Sequence, residues 1–171
     1  MKAYNKYALA AALMLAAPVT AQKSHADEKL SPVKVTFVDG TSAESKEGAP
    51  LVVDGHKWTK WCLDEPQKMP YQVTVDAGKQ IALKGYALTT AEDTHTYPTR
   101  NPISWNIYGS NDCKEWQLVK QVKYNRDLRD ENEQTYKFSI KDSKAWRYYK
   151  FEFTRMTEGT RMQLAEIGLY E

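Results

Sequence analysis

Short runs in which apolar and polar side chains alternate every second residue constrain this chain most. VKVTFV (33–38), YQVTVD (71–76), SWNIYG (104–109), TYKFSI (135–140) and RYYKFEFT (147–154) all show the alternation. Successive strand side chains point to opposite faces, so such runs suit strands with one buried face. IALKGYALTT (81–90), WQLVKQVKY (116–124) and MQLAEIGLY (162–170) are rich in the same strand-favouring residues. Turn signals separate them: Asp-Ala-Gly at 76–78, Gly-Ser-Asn-Asp at 109–112, Lys-Asp-Ser at 141–143 and Glu-Gly-Thr at 158–160. The apolar run 51–53 before Asp54-Gly55 reads as one more short buried strand, and DLRDENEQ (127–134) as a polar connector or a single helical turn. About eight strands with no long helical period predict an all-β fold, a single antiparallel jelly-roll sandwich. Function on such a scaffold is expected on its end loops, of which 39–50 and 91–103 are the longest.

The N-terminus has a different character. Lys2 and Lys6 precede an apolar run from Ala8 to Ala17, and Val19-Thr20-Ala21 follows it. This is the layout of a secretory signal peptide over 1–21, cleaved after Ala21 with Ala26 as the alternative, and the run is too short to span a bilayer. No cysteine ends the run, so no lipid anchor is signalled. Residues 22–32 read as a flexible leader and 33–171 as the domain, in a secreted or periplasmic protein. Removing 21 of 171 residues leaves 150, enough for one domain with a sizeable core. The signal takes two of the 24 basic residues and none of the 22 acids, so the remainder is balanced. A balanced chain has no electrostatic reason to seek nucleic acid, and polar loops without a basic collar argue against membrane binding. Cys62 and Cys113 can pair in an oxidising compartment, but two cysteines are too few for a disulfide-dependent scaffold.

Three segments in order carry a resemblance: LVVDGHKWTKW (51–61), YALTTAEDTHTYPTRNPISWNIYGSND (86–112) and MQLAEIGLYE (162–171). Together they resemble the coagulation factor V/VIII type C, or discoidin, family, and within it the galactose-binding-like carbohydrate-binding modules of bacteria. The resemblance covers roughly residues 34–171. It implies a structural calcium ion in the Asp54-Gly55 loop, held by the carbonyls of Leu51, His56 and Ala165, the carbonyl and hydroxyl of Thr59, and the carboxylates of Asp54 and Glu166. Calcium takes six to eight oxygens in a flexible shell, which a tight loop with inward carbonyls and two acids can supply. On the residues alone, Asp54 capping a turn and Glu166 as a solvated strand residue is the competing account. Relatives often carry a second acid where His56 stands and a glycine where Cys113 stands, so the Cys113 turn needs another geometry.

Trp61, Trp105 and Trp146 read as core, and Trp116 as packed. Trp58, between two lysines on the loop, is a candidate platform for a sugar ring. The 91–103 loop brings His95, Tyr97, Arg100 and Asn101 together, which offers hydrogen-bonding groups for hydroxyls beside an aromatic face. Two accounts of Arg100 stand: contact with ligand, or an ion pair with Asp93 that pins the loop. Arg161 and Met162 are expected to border the same end. There is no Gly-x-Ser-x-Gly elbow and no His-Glu-x-x-His, and nothing marks two carboxylates as an acid and a base. The expectation is a non-catalytic carbohydrate-binding module with a glycan or glycoprotein partner, and a protein-interaction or adhesion module as the alternative.

Overall fold

The computed structural model describes residues 30–43, 46–64 and 68–171. The proposed signal peptide and most of the leader lie outside them. Eleven strands are present among the described residues. They are β1 (Pro32–Val33), β2 (Thr36–Gly40), β3 (Trp61–Leu63), β4 (Tyr71–Ala82), β5 (Gly85–Thr89), β6 (Pro102–Ser110), β7 (Gln117–Val122), β8 (Thr135–Ser139), β9 (Ala145–Met156), β10 (Met162–Leu164) and β11 (Glu166–Tyr170). A five-stranded sheet, β2-β4-β9-β6-β7, faces a four-stranded one, β1-β11-β5-β8, and β3 pairs with β10 in a short ribbon. All pairings are antiparallel.

The alternation seen in the sequence sets the register. Tyr71, Val73 and Val75 of β4 lie opposite Phe153, Phe151 and Tyr149 of β9, and all six are fully buried. Each such side chain contributes about 1.5–3 kcal/mol by leaving water. Buried phenols keep partners: Tyr149 donates to the Ile81 carbonyl at 2.6 Å, Tyr71 to that of Thr160 at 2.6 Å, and Trp105 Nε1 donates to the Tyr86 hydroxyl at 2.9 Å.

Several elements depart from the sequence-based expectation. Residues 51–53 belong to a 3₁₀ turn, Ala49–Val53, with Pro50 in its first turn, rather than to a strand. The single run 81–90 is divided: Ile81 and Ala82 still pair with β9, and the chain then crosses to the other sheet and starts β5 at Gly85. Ser31, assigned to the leader, exchanges backbone hydrogen bonds with Glu171 at 2.9 and 3.0 Å, and Pro32 pairs with Tyr170, so the folded unit begins before Val33. Residues 127–134 form turns with no helix. Trp61 and Trp105 are fully buried, whereas Trp146 and Trp116 are only half-buried, Trp116 beneath the Lys150 ammonium at 4.4 Å. Cys62 is buried and Cys113 exposed, both as free thiols. Cys113 takes φ 58°, the left-handed region that favours glycine.

Candidate functional site

One end of the sandwich gathers most of the residues singled out above. Gly55 at φ 86° turns the chain sharply after the 3₁₀ turn, so that the loop closes on the start of β11. There the Glu166 carboxylate accepts hydrogen bonds from the Gly55 and His56 amides, both at 2.9 Å. Asp54 accepts from the His56 amide at 2.8 Å, and the Thr59 hydroxyl lies 2.8 Å from Asp54 Oδ2 and 2.9 Å from the His56 carbonyl. Burial pushes the Glu166 carboxyl up to about 7, and the neighbouring Asp54 carboxylate adds to the rise. Burial also works against the Asp54 charge, but hydrogen bonds from His56, Thr59 and Glu166 hold its carboxyl below the usual value.

Two carboxylates thus converge where one of them resists ionising, an arrangement that a divalent cation would relieve. Among the described residues no group of three or more His, Cys, Asp or Glu exists that could hold a metal. The remaining donors at this loop are a hydroxyl and carbonyls, a hard oxygen set that fits calcium rather than zinc. The His56 ring stacks on Trp58 with centroids 4.5 Å apart, and the His56 carbonyl accepts from the Thr59 hydroxyl. Leu51 sits within the 3₁₀ turn, and Ala165 is fully buried immediately before Glu166.

The 91–101 loop packs beside this one through groups whose role the sequence did not signal. Lys60, only 6% exposed, pairs with Asp93, and Glu47 lies 3.6 Å from the same ammonium. Asp93 is therefore engaged by Lys60, and the expected Asp93–Arg100 pair does not form. Arg100 instead donates to Cys62 Sγ at 3.4 Å and Gln163 Oε1 at 3.5 Å, with its guanidinium 4.1 Å above the Tyr97 ring. Residues 129–134 form a third wall. Lys57 donates to the Glu133 carbonyl at 3.4 Å, the His95 amide donates to Asn132 Oδ1 at 2.7 Å, and the Thr90 hydroxyl donates to the Glu131 carbonyl at 2.6 Å. Only tertiary packing brings this polar connector to the site, which is why its pattern gave no warning.

Of the five residues expected to meet a ligand, four are accessible and one is not. Trp58 is 64% exposed and Tyr97 43%; His95 is exposed and Arg100 half-buried. Asn101 is 1% exposed and corrects the expectation: its amide donates to the Arg129 carbonyl and to Asp130 Oδ1, both at 3.2 Å, so it ties the connector down. Arg161 lines an open hollow of about 420 Å³ with Thr99, Glu158, Gly159 and Thr160, whereas Met162 is core.

The sandwich has relatives among solved structures. A family 32 carbohydrate-binding module from C. perfringens NanJ, solved in complex with galactose, superposes with a TM-score of 0.68 at 18% identity, covering 83% of this chain and 99% of that one. A module of the same kind from a Clostridium perfringens family 31 glycoside hydrolase gives 0.66 at 16%, covering 80% and 90%. Chitosan-binding module 1 of a chitosanase/glucanase from Paenibacillus sp. IK-5 gives 0.61 at 17%, covering 81% and 96%. No curated protein sequence matches the chain. The sequence profile of the F5/8 type C domain matches residues 36–167, nearly the whole sandwich, and the chain belongs to the F5/8 type C domain family.

Proposed function

We propose that this protein is an exported, non-catalytic carbohydrate-binding module whose recognition end is ordered by a calcium ion. One observation carries the reading: two large aromatic rings stand out of the same end of the sandwich, each backed from behind. Trp58 is held by the His56 ring and Tyr97 by the Arg100 guanidinium. A ring fixed in this way loses little freedom when the apolar face of a pyranose stacks on it. His95 and Arg100 stand beside the rings with donors for sugar hydroxyls. Solved relatives that are carbohydrate-binding modules, one of them in complex with galactose, support binding rather than turnover. The N-terminal pattern over 1–21 supports export.

Asp54 and Glu166, the Thr59 hydroxyl and carbonyl, and the carbonyls of Leu51, His56 and Ala165 would hold the calcium. Bound there, the ion would neutralise the two carboxylates and fix the loop that carries Trp58.

A glycan array followed by calorimetry tests the function. A hit should bind with Kd on the order of 0.1–1 mM, as suits a shallow site. Tyr97→Ala or Trp58→Ala should weaken it severalfold while the fold persists. Normal glycan binding by both variants would sink the loop-end site. An array without any hit would hand the same surface to the protein-interaction reading.

A further inference from the structure

A second concave feature lies on the flank of the sandwich, away from the loop end. β7 and β8 are the terminal strands of the two main sheets, and between their free edges lies a cleft of about 380 Å³. Its floor is aromatic: Phe138 of β8, half-buried, stacks on Tyr86 at 5.0 Å and meets Trp105 edge-on at 5.5 Å. Lys120 and Val122 of β7 lie opposite Ile107 and Trp105, the core-facing residues of β6, so both belong to the inward side of the sheet and line the cleft.

The charge of this cleft is one-sided. Lys120 and Lys123 line it, no Asp or Glu does, and neither lysine has an ion-pair partner among the described residues. The adjacent hollow is different, because its Arg126 and Arg129 are matched by Asp127 and Glu131. An inward lysine on an edge strand can guard against edge-to-edge pairing, but that task needs neither a second lysine nor a ring-sized aromatic floor. Gln121, between Lys120 and Val122, pairs with Asn106 and donates to it at 3.1 Å on the other face of the sheet.

We infer that this cleft binds a carboxylate-bearing sugar, a uronic-acid residue of an acidic glycan. The Phe138 face takes the C–H face of the sugar ring, and the two ammonium groups take its carboxylate. The volume is that of a small-ligand site. This assignment stands apart from the loop end and does not depend on it.

Calorimetry and chemical-shift mapping of the purified protein with digalacturonate test the assignment, beside neutral digalactose and sodium acetate. Digalacturonate is expected to shift the resonances of Phe138 and of Lys120–Val122, and to bind more weakly as salt is added. Lys120→Gln with Lys123→Gln should weaken it about tenfold with the melting temperature unchanged, since two charge contacts to the ligand are removed and neither lysine pairs with an acid among the described residues. Lys120→Arg with Lys123→Arg should restore most of the affinity, and Tyr97→Ala should leave it intact. Equal binding by the glutamine variant, or equal shifts from digalactose or acetate, would overturn the uronate site. Loss of digalacturonate binding in Tyr97→Ala would move it to the loop end, overturning the cleft while sparing the proposed function.

Discussion

The Trp146 indole lies flat against Gly109, so close that a Cβ added at residue 109 would fall 2.1 Å from Trp146 Cδ1 and 2.4 Å from Cγ. Gly109 sits on β6 beside β9, the strand that carries Trp146, and the missing side chain is what lets the ring cover the sheet. Gly109→Ala should therefore cost about 1–3 kcal/mol through overpacking, read as a lower denaturant midpoint. An unchanged midpoint would mean that the indole moves aside without loss.

Calcium should stabilise the folded protein, because only the folded loop brings Asp54 and Glu166 together. At a hundredfold excess over its Kd the gain would be about 2.7 kcal/mol. Asp54→Ala should abolish the response, and prolonged chelation of the wild type should lower its melting temperature. Identical wild-type melting curves with calcium and after chelation would refute the site.

Lys60 is buried between Asp93 and Glu47. Asp93→Ala leaves its charge with the more distant carboxylate only, at 3.6 Å, and should cost about 2–4 kcal/mol and loosen the 91–101 loop. Lys60→Met together with Asp93→Leu should recover much of that loss, because it removes both charges rather than stranding one. A double variant as unstable as the single one would show that the pair does more than satisfy itself.

At the far side of the large sheet, the Arg147 guanidinium grips both oxygens of Asp76 at 2.9 and 2.8 Å. Those bonds hold the Asp76 carboxyl below its ordinary value of 3.8. The folded state therefore favours the charged form, so the contribution is complete above that value and fades as pH falls through the lower folded one. Asp76→Asn should cost little at neutral pH and flatten the acid limb of stability below pH 3.8. An acid limb of the same steepness in the variant would show that other carboxylates carry it.

Cys113 occupies a left-handed turn position at φ 58°. Cys113→Gly should keep the thermal transition and shift stability by no more than about 1 kcal/mol, since steric relief and added chain entropy oppose each other. Thiol titration of the unfolded wild type without reductant should find two free thiols.

The half-buried strands were legible because their side chains alternate with period two, as Tyr149, Phe151 and Phe153 do between Tyr148, Lys150 and Glu152. Apolar runs without a period were not: Leu51–Val53 is as hydrophobic as a strand and coils into a 3₁₀ turn behind Pro50. The division at Lys84 and Gly85 also escaped, because strand-like residues flank it on both sides and only sheet membership changes. At the loop end, Trp58 between two lysines and Tyr97 in a long polar loop were legible as accessible rings, but the burial of Asn101 was not. Its partners Arg129 and Asp130 lie more than two dozen residues away, and an asparagine in a polar loop looks the same whether it is solvated or satisfied by a distant backbone.

The pairing of Ser31 with Glu171 has a consequence for how the molecule can be mounted. β11 starts at the Asp54 loop with Glu166 and runs to Tyr170, a rise of roughly 15 Å at a strand's 3.3 Å per residue. Where the chain enters the fold and where it reaches Glu171 are therefore one spot, on the pole opposite Trp58. Any tether joined at that spot holds the protein by its base, like a lamp on a stand, and leaves the aromatic end pointing away from whatever it is fixed to.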